Sequence, residues 1–155
     1  MRQRSILAVL TLLSACTTNP ARELEPAIDA EERAAVLRVV QEFFDVIESA
    51  DAEAGERILI PEGAFVSVRR QEGARVLAHF TNAESLEGLA ADSRSMHEAF
   101  DAEPLVLIDG DVAVVWGRYR FHVDGELSHL GRDAFQLVRT DQGWKLAGGA
   151  YTVER

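Results

Sequence analysis

Between Asp109 and Gly143 the chain carries three turn signals, Asp109-Gly110, Asp124-Gly125 and Asp141-Gln142-Gly143, each set between long stretches rich in β-branched and aromatic residues. Acid-Gly pairs supply the left-handed backbone of tight hairpin loops, so the stretches on either side are expected to run antiparallel. The predicted strands are Met96 to Ile108, Val112 to Val123, Leu127 to Arg139 and Trp144 to Val153. Upstream, Phe65 to Arg70 and Arg75 to Phe80 flank a Gln71-Glu72-Gly73 turn and predict one further hairpin, giving a sheet of about six strands.

Helices come first in the chain. Asp29-Ala30-Glu31-Glu32 has the acid-x-x-Glu spacing of a helix N-terminus, and Val36, Val39, Val40, Phe43 and Ile47 follow at helical spacing. Asp51 predicts the cap of a shorter helix carrying Ala54, Ile58 and Leu59, with Pro61-Glu62-Gly63 as its stop. Asn82 predicts the start of a third, brief helix through Ala91. Amphipathic helices followed by a run of antiparallel strands describe an α+β domain whose sheet buries one face against the helices.

A chain of 155 residues suits one such domain. With 26 acidic and 16 basic residues its net charge is −10, which argues against a nucleic-acid partner, because a polyanion is repelled and no basic patch offsets the repulsion. No stretch after Cys16 reaches the roughly 20 apolar residues of a membrane-spanning helix. The single cysteine allows no internal disulfide.

That cysteine closes Leu13-Ser14-Ala15-Cys16, after the basic Arg2 and Arg4 and the apolar Ile6 to Leu13. The segment resembles a bacterial lipoprotein signal, with small residues where a peptidase needs narrow side chains. The resemblance implies cleavage after residue 15, lipidation of Cys16, and a tether over 16–28 that holds a domain of 29–155 off the membrane. Removal of Arg2 and Arg4 leaves 14 basic against 26 acidic residues (14 − 26 = −12), so the acyl chains rather than surface charge would do the anchoring. Thr17, in place of the Asp that favours inner-membrane retention in such lipoproteins, implies the periplasmic face of the outer membrane in a Gram-negative envelope.

The domain itself resembles the nuclear transport factor 2-like superfamily, also called ketosteroid isomerase-like or SnoaL-like. The resemblance rests on Ser49-Ala50-Asp51-Ala52-Glu53 after the first helix, on the run from Asp109 to Trp116, and on Gly131-Arg132-Asp133-Ala134-Phe135 leading to Gly143-Trp144-Lys145. It implies a cone, with a long helix laid across a strongly curved, mostly antiparallel sheet, and commonly a homodimer through the sheet. The superfamily hosts isomerases, cyclases, dehydratases and non-catalytic binding modules. Where its isomerases carry an oxyanion-donating Tyr this chain has Phe43, and their general-base Asp falls at Ser67 or Val68. Steroid-isomerase chemistry is therefore not expected.

Two-residue loops at Asp109-Gly110 and Asp124-Gly125 fix a candidate register. Val114 then faces Phe135 and Leu105, Trp116 faces Asp133 and Glu103, Arg118 faces Asp101, Arg120 faces His129, and His97 faces His122. Leu105, Val114 and Phe135 would floor a pocket, with Trp116, Glu103, Arg118, His129 and Asp133 beside it, the mixture small-molecule sites use. A one-residue bulge would send the whole set to the other face. Asp101 with Arg118, and Arg120 with His129, also read as cross-strand charge pairs on a solvated face. Asp133 is the candidate base, with a carboxyl raised by its apolar neighbours, and His129 or Arg118 would polarise a carbonyl. It also reads as a structural acid satisfied by the Tyr151 hydroxyl. The opposite face, with Val115, Tyr119, Phe121 and Leu130, would serve a partner or a second copy. Trp144 reads as core. His97, His122 and His129 are too loosely spaced for a metal site, and no phosphate loop or nucleotide fingerprint calls for a cofactor.

Overall fold

The computed structural model describes residues 29–154; the signal, Cys16 and the tether lie outside the described residues. Asp29 caps α1 (Ala30–Ser49) by accepting from the backbone N–H groups of Glu31 and Glu32, and Asp51 caps α2 (Ala52–Ile58) through the N–H of Ala54. Pro61-Glu62-Gly63 is not a helix stop. The short helix gives way at Leu59 to β1 (Leu59–Gln71), and the three residues lie inside that strand. β2 (Ala74–Thr81) returns antiparallel with Arg70 opposite Arg75, as the Glu72-Gly73 turn requires. Thr81, one residue before the cap read from the sequence, forms a full capping box with Glu84 and starts α3 (Asn82–Ala91).

The stretch from Met96 to Ile108 is two strands, β3 (Met96–Phe100) and β4 (Leu105–Asp109), because the chain leaves the ladder at Asp101 and re-enters after Pro104. β5 (Val112–Val123), β6 (Glu126–Thr140) and β7 (Gly143–Val153) complete a seven-stranded sheet rather than one of six. Its order is β2-β1-β7-β6-β5-β3, with β4 also on β5, and only β1 with β7 is parallel. α1 lies across the concave face, where Val36, Val40, Phe43 and Phe44 pack with Val115, Phe135, Leu137 and Leu146. No helix among the described residues is long and apolar enough to cross a membrane.

Two register details overturn the expected pairing. Asp109 pairs with Val112, so the loop is Gly110-Asp111, with the glycine (φ 57°) in the left-handed position, and Leu105 faces Trp116 instead of Val114. Val123 does face Glu126 across Asp124-Gly125, but Ser128 is then inserted as a bulge. Below it His129 pairs with Phe121, Asp133 with Gly117 and Phe135 with Val115. Side chains alternate along a strand, so one inserted residue turns every later one of β6 to the other face relative to β5. Beyond the Asp101–Pro104 break the phase returns, and His97 faces His122 as expected.

Candidate functional site

Asp133 and Phe135 point into the cone. A cavity of about 250 Å³ opens there, walled by Phe43, Phe65, Phe80, Phe121 and Phe135 and completed by Tyr119, Tyr151 and His129. The rings brace one another: Phe43 stacks on Phe65 at 5.6 Å and meets Phe135 edge-on at 5.8 Å. Two carboxyls face this apolar space. Asp133 is 3% exposed, and Glu98, carried in from β3, is 8% exposed.

The two acids hydrogen-bond to each other, so at least one of them holds a proton. Burial drives both upward. Asp133 is pushed to about 7 by loss of water, with the hydrogen bond from Glu98 pulling the other way. Glu98 lies well above the carboxylate range, first through burial and then through the charge of Asp133 and the bond to it. The proton is held between the two carboxyls as a pair. The Oδ2 of Asp133 is buried with no amide, hydroxyl or ring donor.

The two tyrosine hydroxyls are committed elsewhere, while the Ser85 hydroxyl on α3 is buried without a partner. Tyr119, only 1% exposed, donates to the carbonyl of Thr152 at 2.9 Å, and burial, then the charges of Asp133 and Glu98, raise its phenol. Tyr151 bonds to Ser67, its register partner on β1, so the expected Asp133–Tyr151 bond is replaced by Asp133–Glu98. Burial raises the Tyr151 phenol too, and the Ser67 bond opposes the rise. His129 lies flat on Phe121 at 4.9 Å and edge-on to Tyr119 at 5.7 Å, with Nδ1 at 3.1 Å from the Ser128 hydroxyl.

Of the residues read from the sequence as pocket-forming, Asp133, His129, Phe135 and Tyr151 meet in this cavity, whereas Trp116, Arg118, Glu103, Leu105 and Val114 do not. Trp116 and Leu105 are opposed on the outer face, 44% and 56% exposed. Arg118 lies outside with its Nε 3.9 Å from Asp101, which also bonds Arg120. Arg120 faces Leu130, not His129. Glu103 is on the surface, 2.8 Å from Arg33 of α1. The β6 bulge accounts for these displacements, because it turns Asp133 and Phe135 inward while Leu105, Val114, Trp116 and Arg118 stay outside; the loop frame changes only which residue Leu105 faces. Val115, Tyr119 and Phe121, expected on a partner-binding face, instead line the core and cavity, so that face is not available to a partner. Trp144 is core, as expected, with the Arg139 guanidinium 4.4 Å above its ring. Glu98 was missed. Its signal is local: Met96, Glu98 and Phe100 share a strand face, an acid between apolar neighbours, once Pro104 is read as a strand break.

A larger, open groove of about 1090 Å³ runs along α1, α2 and the start of β7. On its floor Arg139 pairs with Glu32 and with Asp111 beside the groove. The rings of His97 and His122 lie 6.2 Å apart, and among the described residues no three His, Cys, Asp or Glu side chains converge as metal ligands.

No family model matches the chain, and no curated protein matches it. Solved structures do. A nuclear transport factor 2-like superfamily protein from Salmonella enterica serovar Typhimurium superposes with a TM-score of 0.66 at 16% identity, covering 81% of this chain and 93% of that one. An NTF2-like protein from Cytophaga hutchinsonii gives 0.63 at 18%, covering 81% and 99%. A protein of unknown function with a cystatin-like fold from Nostoc punctiforme gives 0.64 at 13%, covering 82% and 94%. With helices packed on a curved, mostly antiparallel sheet, the chain has the fold of the nuclear transport factor 2-like proteins.

Proposed function

We propose that this domain binds a small, mostly apolar molecule inside the cone and orients one polar group of it against Glu98 and Asp133. The observation that carries the reading is a pair of buried carboxyls, Asp133 and Glu98, on the wall of an aromatic cavity that no Lys or Arg lines among the described residues, since polar groups beside an apolar cavity are what orient a small ligand. The anchor belongs to the same proposal: Cys16, lipidated, would hold the domain on the periplasmic face of the outer membrane. So does a homodimer, with its surface moved to the outer face at Leu105, Leu107, Val112 and Trp116, where large apolar side chains stand exposed.

Native mass spectrometry of the purified chain, backed by a ligand-observed NMR fragment screen, tests the pocket. The expected result is a bound small molecule that Leu89→Trp, placed on the cavity wall, excludes. A folded chain that retains no molecule and binds no fragment would sink it.

A second reading is proton-transfer catalysis with Asp133 as base. It is favoured by a carboxyl raised to about 7, where a base can both accept and return a proton near neutrality. Turnover on a carbonyl or alcohol substrate, abolished in Asp133→Asn while the fold is kept, would establish it; ligand binding without turnover leaves the binding role alone.

A further inference from the structure

We propose that the cavity selects a primary or secondary ammonium group on an apolar body. This rests on the pocket reading above and names its ligand class. Among the described residues no Lys or Arg lines the cavity, while two acids do, so an anionic ligand meets only repulsion in a medium of low dielectric. A neutral carbonyl needs a donor. The proton between Glu98 and Asp133 is spent within the pair, the Tyr119 hydroxyl on Thr152, and the Tyr151 hydroxyl bonds with Ser67, which leaves the Ser85 hydroxyl of α3, buried and without a partner, as a neutral donor on the wall. What the site lacks is a positive charge for the pair. An ammonium brings one, with N–H groups for the carboxyls and a cation for the surrounding ring faces.

The groups facing the pair are few. β5 presents Tyr119, β6 His129 and β7 Tyr151, while α1, β1, β2 and α3 present Phe43, Ile47, Phe65, Phe80, Ser85 and Leu89, none of which titrates as a cation. An ammonium favours the ionised pair, so its affinity should rise with pH through the range where the pair loses its proton. A neutral acceptor favours the protonated pair and should show the opposite trend. His129, if protonated at low pH, repels a cation in the same sense, so the double variant E98Q/D133N is needed to isolate the carboxyls.

The test compares benzylamine with benzyl alcohol, alike in size and shape, by NMR titration of the purified chain between about pH 5 and about pH 8. The expected result is an amine preference of ~10-fold or more at the upper pH, shrinking toward the lower, and lost in E98Q/D133N while the alcohol still binds. Alcohol binding that equals or exceeds amine binding at every pH overturns the ammonium proposal and leaves the pocket standing. Binding of neither compound by the folded chain overturns the ammonium proposal, and failure of the fragment screen as well would show that the pocket itself is at fault.

Discussion

Glu98 on β3 and Asp133 on β6 share a hydrogen bond across β5, the strand that lies between theirs. Neither residue is near the other in sequence; Glu98 sits on the inner face in the expected register opposite Phe121, and Asp133 reaches that face through the bulge at Ser128.

The pair sets the sign of one pH effect. Both carboxyls hold a proton more tightly folded than unfolded, so above the ordinary carboxylate range the native state retains protons the unfolded chain has lost. Stability therefore falls as pH rises from about 4 through about 7, the reverse of the usual salt-bridged acid. Asp133→Asn should remove part of this loss and raise Tm at about pH 8 by at least ~2 °C, with a smaller gain at about pH 4. Circular dichroism melts at the two pH values check it; a variant that melts below wild type at the upper pH would contradict the assignment.

Tyr119 contributes a ring to the cavity and a hydroxyl to the Thr152 carbonyl. Tyr119→Phe keeps the ring and orphans the carbonyl, so a loss of about 1 kcal/mol in urea unfolding is expected with the m-value unchanged. If the loss comes with no change in fragment binding, the hydroxyl is structural, as its geometry indicates.

Gly131 makes room for Tyr119. A Cβ at this position would stand 1.9 Å from the Thr152 carbonyl oxygen and 2.4 Å from the Tyr119 ring. Gly131→Ala must push the β7 backbone or the ring away, at a cost of about 2 kcal/mol or more, and the displaced ring should change the near-ultraviolet dichroism. Wild-type stability in this variant would show that the strands give way more easily than their packing implies.

The outer face is checked by its tryptophan. Trp116 is 44% exposed in the single chain and Trp144 only 7%. If the proposed dimer covers the outer face, Trp116 emission is shielded from acrylamide, and Leu107→Lys should both halve the mass in sedimentation and expose Trp116 to quenching. A wild-type monomer with freely quenched Trp116 would remove the dimer.

The sequence by itself determined the helices, because capping acids and apolar spacing are local, and the antiparallel chain of β5, β6 and β7, because the turn residues demand it. It also marked Asp133 as an acid among apolar neighbours. It left open which face that acid occupies. Strand side chains alternate with period two, so a single bulged residue exchanges inside for outside, and Ser128 carries no Gly or Pro to announce the bulge. The tertiary structure decided that Asp133, with Tyr119 and Phe121, turns into the cone and Trp116 out of it. Nor was Glu98 visible as its partner, for the two meet only when the curved sheet brings β3 and β6 round α1, and no local pattern encodes a contact between strands that never pair.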